Sequence, residues 1–467
     1  MPRPLQKLFL GKEKVSLLER SLERGSYSSY VCLGSRDRRN PQWPGGKNKY
    51  CRFTLYKENR DAVDVVNYLA KQLGVKPSVF HSAGLKDRRA ITTQHYTAFK
   101  VKAESLLAMN KSLANVKIGN PVYVGEPLKL GQLTGNHFTI ILRSVSCDDH
   151  VIQEKMTSLR DNGFINYFGM QRFGTSTVPT YHIGRCILHS DWKGAVDAIL
   201  APRPGEPEDL TSARQYFMST RDAEGTLEKF PRGRPLEKAV LKGLVQRQGP
   251  NDFLGALKRV PYSSRLMYVH SFQSLVWNRV ATHRIRLHGL RPIPGDLVLG
   301  NGNGPLTVTE ETLSRYTIHD VLLPLPGHDV TLPANDIKNL YESILAEDNL
   351  TFQHLNHKVR DFTLHGSYRN IVVRPKDVEW DVVRYDDVTT PLALTDRDEL
   401  EDKPPPQSLE GGQYKALRMS FSLPTASYAT MAVRDLVKME TSSHYQTLLM
   451  NTPLPISTPN SPPTNND

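Results

Sequence analysis

A chain of 467 residues, 39% hydrophobic and 23% charged, has material for two or three folded domains and the composition of neither a disordered polymer nor a membrane protein. No apolar run approaches the roughly 18 residues of a membrane-spanning helix, and charges at Lys7, Lys12, Glu13 and Lys14 come too early for a secretory leader, so an intracellular protein is expected. Lysine and arginine total 60 against 48 acidic residues; a net charge of +12 points to a polyanionic partner, nucleic acid first, against the plainer reading of a generally basic surface.

Residues 1–48 have weak periodicity, with Glu13, Glu19 and Glu23 in helical-looking sequence, and end in the loop-like NPQWPGGKN. Around that loop Arg36, Arg38, Arg39, Lys47, Lys49 and Arg52 crowd together with Trp43 and Tyr50. Such a mixture suits phosphate contacts and base stacking, or else a solvated loop. Tyr50 to Tyr56 alternates as a strand. Asp61 can cap a helix with apolar positions Ala62, Val65, Val66, Leu69 and Leu73, which Gly74 ends. Val79-Phe80 leads into GLKDRRAITTQ, and His95 to Val101 reads as another strand, so Asp87 is expected on a loop between strands. Residues 133–145 hold the strand FTIILRSV, preceded by Gly135-Asn136-His137, and Ile152, Met156 and Leu159 mark a helix that stops at Gly163.

Residues 201–235, rich in proline, glycine and charge, read as long loops. Residues 236–289 read as helical, 295–329 as short β pieces and 395–412 as an exposed acidic, proline-rich loop. Ala416 to Leu423 alternates as a strand, Tyr428 to Met439 continues as a helix, and residues 441–467 cannot bury enough apolar surface to be ordered. Cys32, Cys51, Cys147 and Cys186 lie far apart with no C-x-x-C pair, which predicts reduced thiols.

Several familiar chemistries are absent. Gly300 to Gly304 is a glycine-rich turn with no Gly-Lys-Ser/Thr after it. His354 and His357 have no third ligand nearby and read as surface histidines, so no metal site is expected. Neither G-x-S-x-G nor H-E-x-x-H occurs. What remains is Asp87 among Lys86, Arg88 and Arg89. A carboxylate in that setting stays ionised and can serve as nucleophile or base, while the cations can hold a phosphate backbone. The residues alone leave open a plain surface salt bridge.

GLKDRRAITTQ closely resembles the signature of the TruD family of pseudouridine synthases. LTGNHFTIILR (residues 133–143) and GFINYFGMQRFG (163–174) resemble two further elements of that family, in order. GLRPIPGDLV (289–298), DVLLPLPGHDV (320–330) and SFSLPTASYATMAVRDLVK (420–438) are similar to its eukaryotic branch, the pseudouridine synthase 7 type. The resemblance implies an α+β fold. Its catalytic domain, on a mixed, largely antiparallel sheet, occupies residues 50–162 and 374–440 and is interrupted by an inserted domain over 163–373. A basic segment (1–49) would precede it and a tail (441–467) follow.

The resemblance also implies roles. Asp87 aligns with the catalytic aspartate, Phe138 with a phenylalanine that stacks on the target base, and Asn136 with an asparagine that positions the aspartate. Lys86 and Arg88 would bind substrate, and Gly84 would shape the loop. The segment Met170 to Gly174 is expected to be an RNA-facing hinge. The implied reaction turns uridine into pseudouridine without a cofactor, in a monomer expected in the nucleus and also in the cytoplasm. Its implied partners are transfer RNA, notably position thirteen, together with small nuclear and messenger RNA in a UNUAR-like context. One departure stands out: no Phe-x-Val-x-Glu strand precedes Tyr50, which leaves an RNA-binding relative without catalysis as the rival reading. A general RNA chaperone rests on charge alone.

Overall fold

The computed structural model describes residues 9–10 and 13–16 by their backbone, and residues 43–84, 86–174, 178–246, 251–300 and 304–439 in full. The strands, in chain order, are β1 (Phe9–Leu10), β2 (Glu13–Ser16), β3 (Tyr50–Glu58), β4 (Phe80–Ser82), β5 (Ala90–Phe99), β6 (Val116–Val124) and β7 (Gly135–Arg143). There follow β8 (Phe164–Ile165), β9 (Leu297–Leu299), β10 (Pro305–Thr307), β11 (Val321–Leu325), β12 (Ser367–Asn370), β13 (Val372–Val373), β14 (Lys376–Tyr385) and β15 (Tyr414–Pro424). With the helices between them they make an α+β fold, as the sequence implies.

One sheet runs β14-β15-β7-β2-β5-β3-β6, with β1 beside β7 and β4 beside β5. Every pairing is antiparallel except β2 with β5. The expectation that Glu13 lies in helical sequence, with no strand before Tyr50, is therefore corrected. Glu13 opens β2, which aligns Lys14 with both Ile91 and Thr139 and so joins two half-sheets. Backbone pairing on both sides overrides the weak local pattern. Glu19 and Glu23 lie outside the described residues, as do Arg36, Arg38, Arg39, Cys32 and residues 441–467.

Alternation shapes the long strands. In β3, Cys51, Phe53 and Leu55 face a core completed by Val65 and Leu69 of the helix Ala62–Leu73. Asp61 caps that helix by accepting from the Val63 and Asp64 amides, and Gly74 ends it at φ 67°, as the sequence indicates. The even residues Phe138, Ile140 and Leu142 of β7 face a second core, under the helices Asp149–Asn162 and Ala429–Val437. A third core takes all its buried members from Phe168 to Val372, around Phe272, Val276, Trp277 and Val280 of the helix Tyr262–His288. At its boundary β8 pairs with β13. Gly163 is required there, because a Cβ would lie 2.3 Å from the Val373 carbonyl oxygen.

Other expectations need amending. Residues 201–235 are not long loops: they hold the helices Glu208–Thr220 and Ala223–Lys229. Proline and charge here mark helix starts. Pro207 precedes Glu208 and Asp209 in a first turn, and Asp222 accepts from the Glu224 and Gly225 amides. β5 begins at Ala90, earlier than His95, and the acidic loop contains the short helix Asp396–Leu400, capped by Thr395. His354 is exposed, but His357 is buried, near Ser190 Oγ (3.1 Å) and Val359. Gly300 and Gly304 are bonded across the β9–β10 turn, whose residues 301–303 lie outside the described residues. Cys51, Cys147 and Cys186 are free thiols. Among the described residues no helix is long and apolar enough to cross a membrane.

Candidate active site

Asp87 stands on the loop between β4 and β5, where the sequence places it. Two side chains fix the loop's start: Ser82 Oγ and Gln94 Nε2 each donate to the Gly84 carbonyl, at 3.1 Å. A third fixes Asp87 itself. Lys57, on the inward face of β3 and only 1% exposed, donates from Nζ to the Asp87 carbonyl at 2.6 Å. Burial draws the Lys57 ammonium below its ordinary value, and Asp61 and Asp87 oppose that shift. The Asp87 side chain, like those of Arg88 and Arg89, is left exposed. An exposed carboxylate is thus set on an anchored backbone, with positive charge on both sides of it.

Lys86 turns the other way, and its ammonium donates to Asn136 Oδ1 at the start of β7. Burial pulls Lys86 down to about 8, Asp87 raises it and Lys57 lowers it further. Asn136 reaches this position because β7 and β15 approach closely at Gly135, where a Cβ would lie 2.3 Å from the Leu423 carbonyl oxygen. Lys86 and Asn136 line a cavity of about 380 Å³ together with Gly84, Gln94, His137, Asp377 and Ser422. Asp87 and Phe138 do not line it.

The structure brings Asp87, Lys86 and Asn136 to one place but seats Phe138 elsewhere. Phe138 is 7% exposed and packs in the core against Phe421, with ring centroids 5.9 Å apart. On the Asp87 side stands a group to which the sequence reading gave no part. Tyr428, before the last helix, has its hydroxyl pushed up by burial and by Asp87, and pulled back by Arg172 and Arg369. Arg369 is buried, lies 4.1 Å over the Phe168 ring and donates to the Asn166 carbonyl at 2.8 Å and to the Ala426 carbonyl. The segment expected as a hinge is a 3-10 turn, Met170–Arg172, that brings Arg172 Nε within 3.2 Å of Ser274 Oγ. Lys57 was missed as well, because the strand was read only as far as Tyr56; a lysine at the next inward position of the alternation could have marked it, whereas Tyr428 and Arg369 carried no such mark. Among the described residues no group of three His, Cys, Asp or Glu side chains is placed to hold a metal ion.

This arrangement sets a carboxylate on a strand-flanked loop of a mixed sheet, within a basic surround. The family model of tRNA pseudouridine synthase D (TruD) matches residues 35–436, and the chain belongs to that family. It is 47% identical over 425 residues to the Pseudouridylate synthase 7 homolog of Mus musculus, covering 90% of this chain and 64% of that protein. With the Multisubstrate pseudouridine synthase 7 of Schizosaccharomyces pombe it shares 38% identity over 449 residues, 89% of this chain and 66% of the relative. The chain thus spans just under two thirds of the length of these relatives. A crystal structure assigned to TruD from Methanosarcina mazei superposes with a TM-score of 0.61 at 25% identity, covering 84% of this chain and 89% of that one.

Proposed function

We propose that the chain isomerises uridine to pseudouridine within RNA, with Asp87 as the carboxylate that acts on the sugar. The observation that carries this reading is the Asp87 loop of a TruD-family chain, its backbone held by the buried Lys57 and its flank by Lys86 on Asn136. The N1–C1′ bond breaks, the uracil turns, C5 bonds to C1′, the C5 proton leaves and N1 takes one up. Asp87 acts either as nucleophile at C1′ or as the base of a glycal route. The uridine must be extruded from its stack to reach it. Arg88 and Arg89 hold neighbouring phosphates, and Tyr428, with its two arginines, shapes the charge around Asp87; the stacking role that the resemblance gives Phe138 would require its ring to leave its core contact with Phe421.

The substrates on this reading are transfer RNA at position thirteen and, beyond it, small nuclear and messenger RNA, met in the nucleus and cytoplasm. The enzyme acts as a monomer, since one chain supplies every group named. Residues 163–373 act as an inserted domain facing the catalytic one, which the separate core between Phe168 and Val372 supports.

Tritium release from C5-labelled uridine in RNA tests the proposal. The chain should release tritium, and Asp87→Asn, which keeps shape but loses charge, should lower the rate by about a hundred-fold or more while RNA binding and circular dichroism persist. A folded variant retaining about a tenth of the rate, within ordinary acid–base effects, would remove Asp87 from the chemistry. Binding without release by the unaltered chain would leave an RNA-binding protein.

A further inference from the structure

The helix Tyr262–His288 opens on an aromatic side chain that the core does not take. Tyr262 is 55% exposed, although Tyr268, Val269 and Phe272 of the same helix are buried. Its ring is backed by a cation. The Arg265 guanidinium lies 5.8 Å over the Tyr262 ring and 5.9 Å over the Phe362 ring, within cation–π reach of both. Phe362 is fully buried, and Asp361 beside it pairs with Arg265 Nη1 at 2.8 Å. Each layer orders the next, so the outermost ring is presented to solvent with little freedom left to lose. Exposed cations flank it. Lys258 and Arg259 close the preceding helix, with only Val260 and Pro261 between them and Tyr262. Lys358 and Arg360 lead into the turn that carries Asp361 and Phe362. Among the described residues none of these four is in an ion pair.

We infer that Tyr262 is a stacking platform for an unpaired base of the bound RNA, remote from the target uridine, with the four cations on the neighbouring phosphates. The inference rests on the proposed action on RNA. Every base has a π-face, so an exposed ring among lysines and arginines suits a single strand without reading its sequence. A base inside a duplex keeps both faces covered, which confines the platform to unpaired nucleotides. The same helix connects the platform with the reaction. Further along it, Asn278 donates to the Phe168 carbonyl at 3.1 Å, and Phe168 packs edge-on against Tyr428, whose hydroxyl feels Asp87. Helical rise puts about 24 Å between Tyr262 and Asn278. A stacked strand covers that length in about seven nucleotides. The platform therefore grips RNA beyond the reach of the groups around Asp87, and it governs affinity for long substrates.

The test is fluorescence anisotropy of the full chain with two labelled, unpaired RNAs, each carrying one target uridine that pins the register. One has about seven nucleotides centred on that uridine and the other about thirty. Tyr262→Ala should weaken the long RNA about ten-fold and leave the short one unchanged. Tyr262→Phe, which keeps the ring, should bind both as the unaltered chain does. Replacing Lys258 and Arg259 together by alanine should flatten the salt slope by about one to two for the long RNA alone. An abasic residue is then moved along the long RNA. At one position, removal of the base should cost about ten-fold in the unaltered chain and nothing further in Tyr262→Ala, because the contact is already gone. Equal losses on both RNAs, or a scan with no position that depends on Tyr262, would overturn the inference. So would long-RNA binding untouched by Tyr262→Ala, which would leave the ring to a protein partner. Tritium release is scored separately. A chain that isomerises uridine but is indifferent to Tyr262→Ala keeps its proposed activity and loses the platform. One that releases no tritium, yet shows the length-dependent loss, keeps the platform and loses the activity.

Discussion

Lys86 does two things at once, and pH separates them. Its ammonium holds Asn136 and contributes positive charge beside Asp87, but burial has drawn it down to about 8. The lysine sheds its proton as pH rises through that value, so kcat/KM should fall above about 8. Lys86→Arg, which keeps its charge, should shift the falling limb to higher pH; an alkaline limb that stays put would clear Lys86 of the effect. Stability runs the other way. Between about 8 and the unfolded value of 10.5 the unfolded chain binds more protons than the folded one, so the fold gains stability as pH rises through that window. Phe138 allows a second test at this scale. Its place in the core against Phe421 predicts that Phe138→Ala costs about 3–5 kcal/mol in a thermal melt. If it also receives the extruded uracil, Phe138→Tyr should turn over well and Phe138→Leu poorly at similar melting temperatures. Rates that only follow the melts would confine Phe138 to packing. Asp87, Lys86 and Asn136 were legible because they sit in short motifs. Arg369 was not, because its partners Asn166 and Ala426 are distant in sequence and a lone arginine does not announce burial.

Among the elements, β2 has the largest effect for its size. Four residues supply the hydrogen bonding between the half-sheet β14-β15-β7 and the half-sheet β5-β3-β6. A proline at Val15 removes one amide from a strand with neighbours on both sides, a loss of about 3 kcal/mol by analogy with other interior prolines. Val15→Pro should therefore lower the melting temperature and the isomerisation rate together; an unchanged melt would show that the half-sheets hold without β2. This strand was not legible, because its six-letter surroundings GKEKVS satisfy a helical pattern as readily as a strand, and only two waiting sheet edges decide between them. By contrast β3, β7, β15 and the helix Ala62–Leu73 were legible, since each carries its own periodicity or caps. The helices Glu208–Thr220 and Ala223–Lys229 were hidden by prolines and glycines that turn out to flank them.

Over the whole molecule, if the chain acts on RNA as proposed, the net charge of +12 sets how that RNA is held. Each phosphate neutralised by a lysine or arginine releases counterions, so log Kd against log salt should have a slope of magnitude roughly 3 to 6. Lys47 and Lys49 are exposed ahead of β3. Replacing both by alanine should flatten that slope by about one to two, without altering which uridine is modified. An unchanged slope would place the basic stretch outside the interface.

The pairing of β7 with β15 sets an order in time. On a ribosome Asp87 and Asn136 emerge before β15, and Leu423, which pairs with Asn136, follows 287 residues later. At about 5–20 residues per second, the outer edge of β7 waits on the order of tens of seconds for its partner. The region from Phe168 to Val372, with a core of its own, can fold during that interval and then draw β14 and β15 back beside β7. Until it does, the nascent chain presents an open strand edge, which is where a chaperone would be needed most.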